Sequence, residues 1–201
     1  MILDTQSSIG GTWAEERLYP DLKTNNLLGT YEIPGFPLDA SRFDVQTGQH
    51  IKGTVMHEYI RAYAYENGLV DYVRLNHKVL AAEHQDEGGW ILTVAGDGQE
   101  EKPRVFARRL VMATGLFSKP WMPTFRGQES FGGRMFHAKY FPENSDTIET
   151  AKSVTILGAT KFGWDTVYAY ASAGVEVNWV IRGSGRPLLP SFQVSDSLTS
   201  S

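Results

Sequence analysis

The stretch from 154 to 182 constrains this chain more than any other. Val154-Thr155-Ile156-Leu157 is a short apolar, β-branched run, and Gly158-Ala159-Thr160-Lys161-Phe162-Gly163 follows it. Trp164 to Ala173 then has helical composition and stops at Gly174, and Val175 to Ile181 is a second strand-like run that ends on Arg182. Strand, glycine loop, helix and strand within roughly 30 residues predict one βαβ unit with parallel strands. In a dinucleotide fold the first glycine of such a loop makes a tight turn. The last lets the helix approach the strand, so that a pyrophosphate settles on the helix N-terminal amides. Gly158 and Gly163 occupy those places. Thr160 stands where a middle glycine is usual; its Cβ crowds the approach, while its hydroxyl offers a phosphate a hydrogen bond. The strand-tip residue sorts the cofactor, because an acid accepts from a ribose 2'-hydroxyl whereas the guanidinium fork of Arg182 suits a 2'-phosphate. NADP is favoured over NAD. The plain alternative is an ordinary βα turn followed by a surface arginine.

Asp4 closes the short apolar stretch Ile2-Leu3 and has the sign opposite to Arg182. An acid at such a tip binds the ribose of FAD or NAD when a strand and a glycine loop precede it. Only three residues precede Asp4 here, and from the residues alone it reads as a loop-initiating acid. The run Ser7 to Trp13 is polar and glycine-bearing, and reads as a loop. From Tyr19 to about Gly53 the chain carries much Pro, Gly and Asn with interleaved aromatics (Tyr31, Phe36, Phe43), which predicts a long packed loop region lining a ligand. Val55, Met56, Tyr59, Ile60 and Tyr63 form a helical stripe with Gly68 as its stop. Lys78 to Ala82, Trp90 to Ala95 and Val105 to Ala113 read as three strands of a small antiparallel sheet, the last running into Thr114-Gly115. Ser118 to Glu149 reads as a connector, and the chain after Pro190 as a frayed tail.

Composition narrows the chemistry. The 201 residues are 41% hydrophobic and 21% charged, enough apolar surface for a folded body, and the net charge of -4 comes without a basic block that could track a phosphate backbone. Nucleic acid is not an expected partner, and no apolar run is long enough to span a bilayer. With no Cys, thiol catalysis and disulfides are excluded, and redox chemistry must come from a bound cofactor. The five histidines (His50, His57, His77, His84, His137) show neither metal-ligand spacing nor a triad, so no metal is expected. His57 reads as a surface or boundary residue of the predicted helix, and the tyrosines at 59 to 65 and 168 to 170 as core.

Taken together, the order of motifs resembles the flavin-dependent monooxygenases of the flavin-containing and Baeyer-Villiger group, closest to their fungal members. The resemblance rests on Ile9-Gly10-Gly11-Thr12-Trp13; Tyr19-Pro20 with Thr24-Asn25-Asn26 and Ile33-Pro34-Gly35-Phe36-Pro37; Ala113-Thr114-Gly115 with Pro120 and Pro123; and the loop at Gly158. The family fingerprint Phe-x-Gly-x-x-x-His, followed after three residues by an aromatic, is met by Phe131, Gly133, His137 and Phe141, with Pro142 next.

The resemblance implies an α/β fold: a partial architecture of two Rossmann-like dinucleotide-binding domains with a small antiparallel sheet, missing the first βα unit and the C-terminal half. Residues 1–149 would be an incomplete FAD-binding domain with connector, 150–190 an incomplete NADP-binding βαβ unit, and 191–201 a disordered tail. Asp4 would bind the FAD ribose, Gly11, Thr12 and Trp13 would lie near the flavin, and Asn25 would face its reacting edge. Val79 would meet the adenine through its backbone, and Ala113, Thr114 and Gly115 would pass close to the FAD. Gly158, Thr160, Gly163 and Arg182 would hold NADPH, and His137 would belong to the hinge between domains; Asn25 and His137 are the candidates for a part in catalysis. The implied activity uses FAD, NADPH and O2 to oxygenate a small organic, secondary-metabolite substrate through a flavin peroxide, in the cytoplasm. The alternative is a truncated, inactive remnant that binds a nucleotide or a partner, with a complementing chain if the truncation is real.

Overall fold

The computed structural model describes residues 1–96, 98, 102–115 and 119–183; the expected tail at 191–201 lies outside them. The chain forms two compact units, Met1–His137 and Ala138 onward.

In the first unit β1 (Ile2–Leu3) pairs in parallel with β4 (Val73–Arg74). The hydrogen bonds continue past the strands: Asp4 N–H donates to Arg74 O at 3.1 Å and His77 N–H to Asp4 O at 2.8 Å. The strand tip is thereby tied to the start of β5 (His77–His84). β5, β6 (Trp90–Gly96) and β7 (Arg104–Ala107) make an antiparallel sheet in that order, as expected. The third strand is shorter than the apolar run that predicts it. Pairing stops at Ala107; residues 108–115 join no strand, and Val111 and Met112 are 85% and 71% exposed. β propensity alone does not make a strand where no ladder partner is supplied.

The core of this unit lies on α1 (Gly53–Glu66), whose predicted stripe turns Val55, Met56 and Tyr59 inward. Phe36, Leu38, Phe43, Val45 and Ile51 close over them. The Tyr19–Gly53 region therefore departs from expectation in two ways. Phe36 and Phe43 are buried core residues rather than ligand-lining ones, each packed on the Tyr59 ring at 5.3 and 5.4 Å between centroids. The region also contains an antiparallel pair, β2 (Lys23–Leu27) with β3 (His50–Lys52). Neither sequence alternates, because the pairing is irregular between Lys23 and Leu27. There the buried Thr24 hydroxyl accepts the Ile51 N–H at 3.0 Å and donates to Asn26 O at 2.7 Å. A side chain fills a place the ladder leaves open.

In the second unit β8 (Ser153–Leu157) and β9 (Glu176–Val180) are parallel and in register, joined through α3 (Lys161–Ser172). The helix begins three residues earlier than its composition suggests, so Gly163 lies in its first turn. Residues 138–149 pack into this unit. Phe141 is 1% exposed and sits 5.6 Å from the Tyr170 ring, and the Tyr170 hydroxyl is 2.5 Å from Thr147 Oγ1 beside the short α2 (Thr147–Thr150). Among the described residues no helix is long and apolar enough to cross a membrane.

Candidate functional site

In the second unit the loop geometry is dictated by two glycines. Gly158 directly follows β8 with φ 118°, a region L side chains rarely adopt. Gly163 has an ordinary φ but no room: a Cβ there would overlap the Gly158 carbonyl oxygen and come within 3.1 Å of its carbon. The first turn of α3 therefore lies directly against the end of β8, which brings the helix N-terminus to the strand tip. Thr160 is the N-cap, extended at φ −86° and ψ −179°, and its hydroxyl makes no capping bond. Lys161 pairs with Asp165 one turn along. Arg182 is exposed, two residues past the end of β9 in that sheet. Loop, helix start and Arg182 thus belong to the one βαβ unit that the spacing predicts.

Trp179, on β9, is a residue that the spacing does not single out. Its indole N–H donates to Gly158 O at 2.7 Å, and its ring meets Trp164 edge-on at 4.6 Å. The signal that finds it is alternation, since Val177 and Trp179 are the half-buried residues of β9.

In the first unit Asp4 directly follows β1 and is half-buried. One of its carboxylate oxygens accepts the Gln6 N–H at 3.0 Å. Val79 is on β5, whose first residue bonds to Asp4 O, so the fold brings Asp4 and the strand of Val79 together. The Gly10-Gly11-Thr12-Trp13 segment is a 3-10 turn from Gly11 to Trp13. Gly10 precedes it at φ 141°, where a Cβ would stand 2.8 Å from the Trp13 and Ala14 backbone. His57 of α1 is half-buried, at the boundary where its position in the helix suggests, and its Nδ1 donates to Trp13 O at 3.0 Å. The other anchor is one that sequence reasoning missed. Glu16 accepts the Ser7 N–H at 2.6 Å and the Ser8 hydroxyl at 2.6 Å, and Ser8 Oγ in turn accepts the Glu15 N–H at 2.7 Å. Partial burial pushes the Glu16 carboxyl up, but the hydrogen bonds from Ser8 and Ser7 outweigh it and hold it below the usual carboxylate range.

Asn25 is exposed on β2, at the irregular pairing that Thr24 stabilises, and β3 leads straight into α1. α1 is thus common to the supports of Trp13 and of Asn25. Ala113, Thr114 and Gly115 are exposed and outside any strand or helix, so the fold described does not bring them to the others. His137 is half-buried and is the last residue of the first unit. Among the described residues no group of three His, Asp or Glu could hold a metal.

The profile of the pyridine nucleotide-disulphide oxidoreductases matches residues 13–197. The chain belongs to that family. An FAD-dependent monooxygenase of Pyrenophora dematioidea is 34% identical over 98% of this chain and 39% of its own length, and another, from Aspergillus nomiae, is 32% identical over 98% and 37%. The chain therefore spans about two fifths of the length of the curated relatives it matches. The structure of Tmm from Pelagibacter sp. strain HTCC7211 superposes with a TM-score of 0.76 at 20% identity, over 90% of this chain and 44% of that one, which shows the shared fold.

Proposed function

We propose that this chain is part of an FAD-dependent monooxygenase that draws on NADPH and O2 to oxygenate a small organic, secondary-metabolite substrate in the cytoplasm. The observation that best supports the reading is the closure of α3 onto β8 at Gly158 and Gly163, with Arg182 just past the tip of the partner strand. A helix start held against the strand tip puts its first backbone amides where a pyrophosphate would meet them.

The second unit suits NADPH, and Asp4, the strand of Val79 and the turn at Gly11 suit part of an FAD. For NADPH, the amino end of α3 would receive the pyrophosphate, the uncapped Thr160 hydroxyl would add a hydrogen bond, and Arg182 would take the 2'-phosphate bidentately. For FAD, Asp4 would accept from the ribose with the carboxylate oxygen that Gln6 does not use, and Val79 would meet the adenine with its backbone. The turn at Gly11, Thr12 and Trp13, fixed by His57 and Glu16, would border the flavin, with Asn25 at its reacting edge. Ala113 to Gly115 would pass beside the same cofactor, and His137 would serve the hinge. A bound flavin supplies hydride acceptance and the reaction with O2; this chain's residues bind, orient and keep out water.

A second reading, binding of a nucleotide or a partner without turnover, is favoured by the exposure of Ile2 in β1 at 50% and of Val111 and Met112 beyond β7 at 85% and 71%. Purifying the chain in the presence of FAD separates the two. Yellow protein that consumes NADPH and O2 together supports the monooxygenase. Colourless protein that still binds NADP leaves only the second reading, and protein that binds neither overturns both.

A further inference from the structure

Trp179 is placed where it can set the direction of the loop peptide that a phosphate would meet. Its indole N–H donates to Gly158 O at 2.7 Å. That oxygen faces the α3 side, where a Cβ on Gly163 would collide with it. No peptide bond in the described chain is cis, and in a trans peptide the N–H points opposite to the C=O. The Ala159 N–H is consequently turned away from the Trp179–Gly163 side. Gly158 does not hold this orientation by itself, because a glycine at φ 118° with open space at its Cβ position has little to resist rotation of its peptide. The indole bond supplies the restraint, and the edge-on packing of Trp164 at 4.6 Å fixes the indole.

We infer that Trp179 is a positioning residue for a dinucleotide: it locks the Gly158–Ala159 peptide so that the Ala159 N–H is preset to donate to the pyrophosphate. This rests on the reading of the second unit as an NADP cradle. It names a group, the β9 indole, that acts through a backbone amide and touches no ligand itself.

The experiment titrates the full 201-residue chain with NADP+ and, separately, with adenosine 2'-monophosphate, which carries the 2'-phosphate but no pyrophosphate. Trp179→Phe keeps an aromatic ring against Trp164 and removes the N–H together with the second ring of the indole, so the monophosphate serves as the control for lost packing. The substitution should weaken NADP+ by about five- to tenfold, the worth of one hydrogen bond, and leave the monophosphate unchanged. Equal weakening of both ligands by Trp179→Phe would mean a merely structural role and overturn the proposal, as would unchanged NADP+ affinity. The wild-type chain provides a test that does not depend on the variant's folding: the Ala159 amide should exchange freely with solvent alone, become protected by NADP+, and stay unprotected with the monophosphate. An amide already protected without ligand, or unprotected with NADP+, contradicts the assignment. Wild-type chain that binds neither ligand overturns the cradle itself, and the positioning role with it.

Discussion

Gly158 and Gly163 are both glycine for different physical reasons, and the difference is testable. Gly158 needs a backbone conformation and has space for a side chain; Gly163 needs space and has an ordinary conformation. Gly163→Ala should therefore push α3 off β8 and cost about 1–3 kcal/mol, the range for an overpacked contact. Equilibrium denaturation measures this, and a midpoint equal to wild type would show that helix and strand are not in the contact described. Glu16 yields a prediction in pH. Its folded pKa is held below the ordinary value by Ser8 and Ser7, so the stability it contributes is complete above the unfolded carboxylate pKa and is lost as pH falls through the lowered folded one. The stability difference between wild type and Glu16→Gln, followed by thermal unfolding across the acid range, should shrink as pH falls. A difference independent of pH would show that the carboxylate is not what holds the Ser7–Glu16 turn.

At the scale of elements, α1 organises the first unit because one of its side chains serves two strangers in sequence. The buried Tyr59 hydroxyl accepts the Ile33 N–H at 2.7 Å and donates to Phe36 O. Arg42, over the Phe36 and Phe43 rings at 4.7 and 5.1 Å and paired with Glu66, closes the same cluster from outside. Tyr59→Phe keeps the ring packing and orphans two backbone groups, which should cost about 1–3 kcal/mol by denaturant unfolding. A loss well under 1 kcal/mol would mean that water replaces the hydroxyl at no cost. Elements of this kind differ in how legible they are. α1 and the βαβ unit are readable because their apolar residues repeat at the period of the element, as in Val55, Met56, Tyr59 and Ile60. β2 and β3 are not readable, because Thr24 and Ile51 meet through a hydroxyl rather than through alternating backbone pairs. Residues 108–113 read as strand and are not, since a strand also needs a neighbour. Phe36 and Phe43 look free to line a ligand until α1 is seen beneath them. At the site, Gly158, Gly163 and Arg182 stand out by spacing, whereas Trp179 and Glu16 act through single hydrogen bonds that leave no periodic trace.

At the scale of the molecule, two units carry strand tips of opposite charge, Asp4 after β1 and Arg182 past β9, in separate sheets. Family membership rests on nearly the whole sequence, while the share of each relative's length that it spans is about two fifths. The second unit holds the complete strand–loop–helix–strand. Calorimetric titration of the chain with NADP+ and with NAD+, repeated on Arg182→Ala, tests its reading as an NADP cradle most directly. The account predicts that wild type binds NADP+ at least about tenfold more tightly than NAD+, and that the substitution abolishes this preference by weakening NADP+ alone. Equal affinities in the wild type, or equal losses for both nucleotides in the variant, would contradict it.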